Sequence, residues 1–135
     1  VPDAGTFRLT WNGASATPTP FNATAAQVEA DTGAGIRVLD LRTLVPLDRA
    51  AVLASVAKTG RLLVADEDYL SYGLSGEIAA LVAENLDTLR LKAPVRRLAV
   101  PDVPIPFSRP LEQFAIPQVD NIVASVRGLM RFTLA

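Results

Sequence analysis

Apolar runs of strand length alternate with helical repeats along most of this chain. The runs that predict strands are Phe7–Trp11, Ile36–Leu41, Leu62–Ala65 and Val95–Val100. Three consecutive acidic residues follow the third run, so we expect that strand to end before Asp66. Asn12 to Asn22 lies after the first run and contains Pro18 and Pro20, which predict turns.

Four further segments carry helical signals. Ala23–Asp31 is rich in alanine and is closed by glycines, and a second helix is expected between Asp48, its N-cap, and Gly60. The third segment has the clearest 3.6-residue repeat, formed by Leu74, Ile78, Leu81, Val82, Leu86 and Leu89. The last helix is marked by Val119, Ile122, Val123, Val126, Leu129 and Met130.

This order of elements predicts one fold class. Apolar strands that alternate with helices are joined by right-handed crossovers into a parallel sheet with both faces covered. We therefore expect an α/β three-layer sandwich with a mainly parallel sheet of about five strands. The chain has neither a long linker nor an internal repeat, so residues 1–135 are expected to form a single domain.

The prolines between Val100 and Pro110 interrupt this pattern. Proline lacks a backbone N–H, so we expect an extended connector here rather than a central strand. Ile105 and Phe107 within it are interpreted as anchors, either in the core or at an interface with another subunit.

The composition argues against several classes of function but does not identify one. The 13 basic and 14 acidic residues balance, which gives no electrostatic basis for binding nucleic acid or an anionic membrane. The sequence has no cysteine and no histidine, so thiolate and imidazole chemistry are absent from it. With no apolar run long enough to span a bilayer and no signal-peptide pattern, we expect a cytoplasmic protein.

One strand end carries groups that invite a chemical interpretation. Asp66, Glu67 and Asp68 lie where a parallel strand ends and a helix begins, the usual place for ligands. One alternative is an anion site at the helix N-terminus, which a glycine precedes, but these carboxylates would repel an anion. Another alternative is a magnesium site, which would need all three carboxylates to converge on one ion. We therefore favour a solvated or partner-facing acidic loop over a magnesium site, and a glycine-permitted turn with Ser71 or Ser75 capping the helix over an anion site. Arg96 and Arg97 should point to opposite sides of their strand, and one of them could pair with a carboxylate at an interface.

Several phrases of the sequence occur in an order that resembles a known family. They are Val38–Asp48, Ser55–Leu62, Gly76–Ala80, Ala93–Arg97, Asp102–Phe107 and Leu111–Glu112. From about Gly35 to Leu129 the chain is similar to the transketolase C-terminal domain of the beta subunit of 2-oxo acid dehydrogenases. Transketolase, deoxyxylulose-phosphate synthase and ferredoxin-dependent oxidoreductases share that fold, and the Asp102–Phe107 phrase favours the dehydrogenase. Residues 1–34 diverge from the family pattern, because Ala14 to Asn22 delays the first helix.

The resemblance implies a domain without catalytic residues of its own. In that family the parent enzyme uses thiamine diphosphate and magnesium to decarboxylate a 2-oxo acid and to acylate a lipoyl group. The resemblance places the cofactor in other domains, so no catalytic, cofactor-binding or metal-binding residue is assigned here, and this chain alone is expected to be inactive. The alternatives are a free-standing, non-catalytic binding module of the same fold and the equivalent domain of a transketolase-type enzyme.

The resemblance also implies partners. Domains of this kind pack dehydrogenase subunits into homo- or hetero-oligomers and can help to dock the dihydrolipoyl acyltransferase core. We assign Phe107, Phe132 and Leu134 to a partner interface, since the last two would lie on one side of an extended tail. Packing of the tail against the last helix of its own domain is the alternative.

Overall fold

The computed structural model describes residues 25–132, with the side chains described from Val28 onward. The elements in chain order are α1 (Ala25–Thr32), α2 (Arg49–Thr59), β1 (Leu63–Tyr69), α3 (Leu74–Ala83), β2 (Arg96–Val100), α4 (Arg109–Ala115) and α5 (Val119–Arg131). The longest of these helices, α5, has 13 residues, and no helix between residues 25 and 132 is long and apolar enough to cross a bilayer.

β1 and β2 are parallel neighbours joined by a crossover that contains α3. α3 and α5 each contact both strands but contribute to separate hydrophobic clusters, as expected for helices on the two faces of a sheet. The predicted α/β fold with a parallel sheet is confirmed. The described part of the chain contains two of its strands, and the predicted strand Phe7–Trp11 lies outside that part.

Ile36–Leu41 was predicted as a strand and is not one. The N–H of Ile36 donates to the Glu29 side chain at 2.7 Å instead of to a neighbouring strand. Ile36 packs on one hydrophobic cluster and Leu41 on another, so the apolar run bridges two clusters as irregular chain. The apolar residues of this segment reflect partial burial and not pairing with a neighbouring strand.

The predicted ends of α2 are confirmed. Asp48 Oδ1 accepts a hydrogen bond from the Ala51 N–H at 2.9 Å, which satisfies one of the free donors of the first turn. Gly60 follows the helix with φ of 68°, and its N–H donates to the Val56 carbonyl. Glycine adopts this left-handed conformation without steric cost, so the helix stops where the sequence places it.

The main core lies between α2, α3 and β1. Ile78 and Leu81 of α3 pack with Val52 of α2, and Val64 of β1 packs against them. A neighbouring cluster joins Val82 to Val56 and Leu89. The predicted α3 register is confirmed, but the helix ends at Ala83, so Leu86 is about half exposed and Leu89 is buried from the following turn.

The second layer of helices is formed by α5 and α1. Val123 of α5 packs on Val28 of α1, with Val119, Ile122 and Val126 around them. Arg61, just before β1, donates from Nε to the Leu129 carbonyl at 3.0 Å. Its guanidinium therefore satisfies a carbonyl in the last turn of α5 and ties that helix end to the start of the strand.

Two boundaries differ from the sequence prediction near the prolines and the acidic run. β1 continues through Asp66, Glu67 and Asp68, because a register shift between Ala65 and Tyr69 lets the ladder continue past them. The connector after β2 gives way to α4 at Arg109, with Pro110 in its first turn. Proline lacks an N–H that the first turn would leave free anyway, so it starts a helix here.

Candidate functional site

Two loops meet at the carboxyl ends of β1 and β2. The first is the β1–α3 loop, residues 70–73, and the second is the start of the connector, residues 101–104. The Leu70 N–H donates to the Val100 carbonyl at 2.7 Å, and Arg97 Nη1 donates to the Leu70 carbonyl at 2.8 Å. Arg97 therefore holds the first loop by its backbone, and no carboxylate partner for it or for Arg96 occurs within the described residues.

Ser71 and Asp102 lock the two loops together. The Ser71 N–H donates to Asp102 Oδ1 at 3.2 Å, and the Ser71 hydroxyl donates to Oδ2 at 2.6 Å. The expectation that Ser71 or Ser75 caps α3 is therefore wrong, since the N-cap is Gly73 and neither serine side chain bonds to the N-terminus of the helix. The sequence did hold a signal for this pair, because both residues follow neighbouring parallel strands whose carboxyl ends meet.

The β1–α3 loop makes a tight turn before the helix. A Cβ at Gly73 would overlap the Tyr69 carbonyl oxygen, so only glycine fits there. Tyr72 next to it has φ of 61° and a fully exposed ring. A left-handed backbone costs a residue with a Cβ on the order of 1–2 kcal/mol, and it persists here because the surrounding hydrogen bonds fix the loop.

The carboxylates of Asp66 and Asp68 are engaged by backbone donors. Asp66 Oδ2 accepts from the Ser75 N–H at 3.2 Å, so an aspartate of this chain occupies the N-terminus of α3 where an external anion would bind. Asp68 Oδ1 accepts from the Tyr69 N–H at 2.8 Å. Between residues 25 and 132 no group of three acidic side chains is arranged to hold a metal ion.

Two side chains at this end of the sheet are in environments that lower the stability of the folded chain. Glu67 is largely exposed, but partial desolvation raises its pKa above the ordinary value, and the nearby charges of Asp66 and Glu112 raise it further. Ser75 is fully buried, and its hydroxyl makes no hydrogen bond within the described part of the chain. Neither feature was visible in the sequence, because both depend on how β1, α3 and α4 pack.

Apolar side chains are exposed along the connector and α4. Phe107 is fully exposed and Phe114 is 89% exposed, with Leu111 one helical turn from Phe114 on the same side of α4. Val103 and Ile105 of the connector are each about half exposed. We call Val103, Ile105, Phe107, Leu111 and Phe114 the α4 surface. Phe107 and Ile105 are thus not core anchors of this domain. Phe114 was missed because α4 was not predicted, although Ser108 followed by Pro110 is a helix-start signal.

The C-terminal tail is only partly described. Phe132 is half-buried, and its carbonyl accepts a hydrogen bond from Arg61 Nη2 at 3.5 Å. Leu134 lies outside the described residues. The tail therefore starts on its own domain, and the assignment of Phe132 and Leu134 to a partner interface stays a prediction, as does that of Phe107.

Comparison with known proteins gives a consistent result. Residues 14–122 match the family described as transketolase, C-terminal domain. The chain is 43% identical to the beta-1 subunit of the mitochondrial pyruvate dehydrogenase E1 component of Arabidopsis thaliana, over 82% of this chain and 31% of the relative. It is 36% identical to the 2-oxoisovalerate dehydrogenase beta subunit of Bacillus subtilis, over 80% of this chain and 33% of the relative. The chain thus spans about a third of the length of these relatives.

The expected cytoplasmic location is contradicted by this comparison. The relatives from Arabidopsis, Saccharomyces cerevisiae and Drosophila melanogaster are mitochondrial proteins by name. Balanced charge and a lack of cysteine suit a folded domain in the mitochondrial matrix as well as in the cytoplasm, so these properties do not discriminate between the two compartments.

Proposed function

The chain belongs to the transketolase C-terminal domain family, and we propose that it acts as the assembly domain of a 2-oxo acid dehydrogenase beta subunit. In this role it packs against other dehydrogenase subunits and supports the oxidative decarboxylation of a 2-oxo acid that the whole enzyme performs. The relatives from Arabidopsis and Bacillus subtilis are named for pyruvate and for 2-oxoisovalerate, so the substrate is proposed only as a 2-oxo acid.

The described residues do not fit thiamine diphosphate with its magnesium ion. A bound diphosphate needs a cation and free backbone donors, whereas here Asp66 accepts the Ser75 N–H at the N-terminus of α3, and no group of three acidic side chains in the described part of the chain is arranged to hold a metal ion. We therefore propose that other domains of the parent enzyme hold the cofactor. The contribution of this domain is structural, and transfer of an acyl group to a lipoyl group belongs to the assembled enzyme.

The observation that carries the proposal is the α4 surface. A phenylalanine side chain has roughly 150–250 Å² to bury, worth about 25 cal/mol per Å², yet Phe107 and Phe114 bury almost none of it in this domain. Large apolar side chains that are fully exposed are typical of surfaces that another protein covers. We propose that a dehydrogenase subunit covers them. The tail with Phe132 and Leu134 is proposed to contact the dimer mate or the acyltransferase core.

An activity assay on the complete enzyme tests this proposal. Phe107→Ala and Phe114→Ala in the full-length beta subunit should lower activity at low enzyme concentration, and higher concentration should restore it, because a weakened assembly obeys mass action. Leu86→Ala is the matched control, since Leu86 is an exposed leucine on the α3–β2 turn, away from the α4 surface. Activity that falls equally at every concentration, or no loss in either variant, would exclude an assembly role for these residues.

A further inference from the structure

Charge is distributed unevenly over the two ends of the sheet, although the formal net charge of the chain is only −1. Acidic residues gather at the carboxyl end, where β1 carries Asp66, Glu67 and Asp68. The opposite, amino end is the place where β1 begins and where α2, α3 and α5 finish. Basic residues gather there, and we give the name basic end to Lys58, Arg61, Arg90, Lys92 and Arg131.

Three of these basic residues meet around Gly60, the glycine that ends α2. The Lys92 N–H donates to the Gly60 carbonyl at 2.7 Å. A Cβ added to Gly60 would stand 2.9 Å from Lys92 Cγ and 2.9 Å from the Arg90 carbonyl oxygen. Lys58 lies in the last turn of α2, two residues before the same glycine. The chain after α3 is therefore packed against the end of α2, which brings the three cations to one corner of the domain.

The other two basic residues join this corner through the end of α5. Arg61 follows Gly60 directly, and its Nη2 donates to the Phe132 carbonyl at 3.5 Å. Arg131 is the last residue of α5 and precedes Phe132. Arg61 therefore links the two cations of the α5 end to those around Gly60, although the residues are far apart in the sequence.

Carboxylates do not neutralise this corner. Glu84 pairs with Arg49 at 3.4 Å, and Asp87 lies exposed on the turn after α3. No ion pair within residues 25–132 includes a member of the basic end. Lys58 and Arg131 offset the negative ends of α2 and α5, but a helix end carries only about half an elementary charge. The basic end therefore keeps a net positive charge.

We propose that the basic end binds an acidic segment of a partner protein. Lys58, Arg90 and Lys92 are exposed, so their charged groups are accessible to carboxylates. The guanidinium of Arg90 can hold a carboxylate by two parallel hydrogen bonds. Met130, which is about half exposed next to Arg131, adds an apolar contact at the edge of the charged surface. This surface is separate from the α4 surface, so the inference does not rest on the proposed assembly role.

The charge of the rest of the chain favours a short protein segment over a long polyanion. Five of the 13 basic residues belong to the basic end, which leaves eight against 14 acidic residues elsewhere in the sequence. A nucleic-acid duplex carries one negative charge per about 1.7 Å of its length, and it would be repelled wherever it passes beyond this corner. A single strand needs aromatic side chains for its bases to stack on, and the basic end contains none.

An NMR titration of the 135-residue chain tests this inference. The probe is the blocked peptide acetyl-Gly-Glu-Glu-Gly-Glu-Glu-Gly-amide, and the comparison peptide has glutamine in place of each glutamate. We expect saturable shifts of the amide signals of residues 58–62, 90–92 and 129–132 with the acidic peptide alone. Raising the salt from about 0.1 M to about 1 M shortens the Debye length from about 10 Å to about 3 Å and should remove these shifts.

Charge reversal locates the binding surface. Lys58→Glu and Lys92→Glu should each weaken the binding about two- to tenfold, because each replaces an attraction to the peptide with a repulsion. Arg109→Glu is the matched control, since it changes the net charge equally and is exposed on α4, the helix whose Glu112 lies near Glu67 at the other end of the sheet. Equal losses in all three variants, or equal shifts with the glutamine peptide, would overturn the inference.

Other occupants of the basic end give different results. Tighter binding of a short DNA duplex, or of phosphatidylcholine vesicles that contain phosphatidylserine, would assign the surface to another polyanion and end the proposal. Sedimentation of the native chain and of Lys92→Glu covers the remaining case. If the native chain self-associates and this substitution abolishes the association, the occupant is the acidic end of a second copy and the proposal fails.

Discussion

Single residues at the carboxyl end of the sheet are held by partners that lie far away along the chain. The bond between Ser71 and Asp102 joins residues 31 positions apart. The buried state of Ser75 also depends on tertiary packing, which no local pattern contains.

Ser75 offers a test of that packing. Its buried hydroxyl has no hydrogen-bond partner among the described residues, so removing it should relieve the cost of leaving a polar group unpaired. We expect Ser75→Ala to leave stability unchanged or to raise it by about 1 kcal/mol in denaturant melts. Ser71→Ala is the contrast, since it removes the bond to Asp102 and should lower stability by roughly 0.5–1.5 kcal/mol. A loss above about 1 kcal/mol in Ser75→Ala would mean that its hydroxyl has a partner.

Glu67 should make stability depend on pH. Partial desolvation raises its pKa in the folded state, with Asp66 and Glu112 adding to the effect, and the exposure of this side chain keeps the change in stability small. The folded chain therefore binds the proton of Glu67 more tightly than the unfolded chain does. This contribution to the free energy of unfolding is lost as the pH rises from the ordinary pKa of 4.5 through the raised pKa of the folded state. Glu67→Gln should be more stable than the native chain at pH 7, and this advantage should shrink towards pH 4. Asp87→Asn serves as the exposed control, and an advantage that grows on acidification would reverse the assignment.

At the scale of elements, the sequence predicts best where one face of a helix meets a core. The 3.6-residue repeat placed Ile78, Leu81 and Val82 correctly in α3. The strand predictions failed where apolar character and sheet pairing do not coincide. Ile36–Leu41 is apolar but is not a strand, and β1 continues through three residues with carboxylate side chains. α4 was missed because its apolar residues, Leu111 and Phe114, face away from the core and leave no inward repeat.

The packing of α3 is testable at Ile78. This side chain is 3% exposed and lies against Val52 and Leu81. Ile78→Ala should lower the free energy of unfolding by roughly 2–4 kcal/mol, from lost burial and the cavity left behind. Leu86→Ala, on the partly exposed turn after α3, should cost much less. A loss under about 1 kcal/mol at Ile78 in denaturant melts would mean that this face of α3 is not in the core.

At the scale of the whole molecule, the C-terminal tail can be used to test whether it packs only on its own domain or also contacts a partner. Arg61 holds the Leu129 and Phe132 carbonyls, so residues up to 132 are tied to the domain. Deleting residues 131–135 should weaken self-association and docking to the acyltransferase core, as measured by sedimentation and by binding assays. A fall in stability with both associations unchanged would mean that the tail belongs only to the core of its own domain.

The α4 surface carries the central claim, that this domain assembles a dehydrogenase. Its two exposed phenylalanines have no role in the described fold, and a subunit that covers them would bury most of their area. A beta subunit with Phe107→Ala and Phe114→Ala together should therefore fold normally but assemble poorly, whereas Leu86→Ala should assemble as the native subunit does.

Sedimentation velocity of the complete enzyme over a range of concentrations measures this directly. We predict that the double variant dissociates into smaller species at concentrations where the native enzyme and Leu86→Ala remain assembled. An enzyme that stays intact over the same range, with Phe107 and Phe114 both replaced, would contradict the assembly role assigned to this domain.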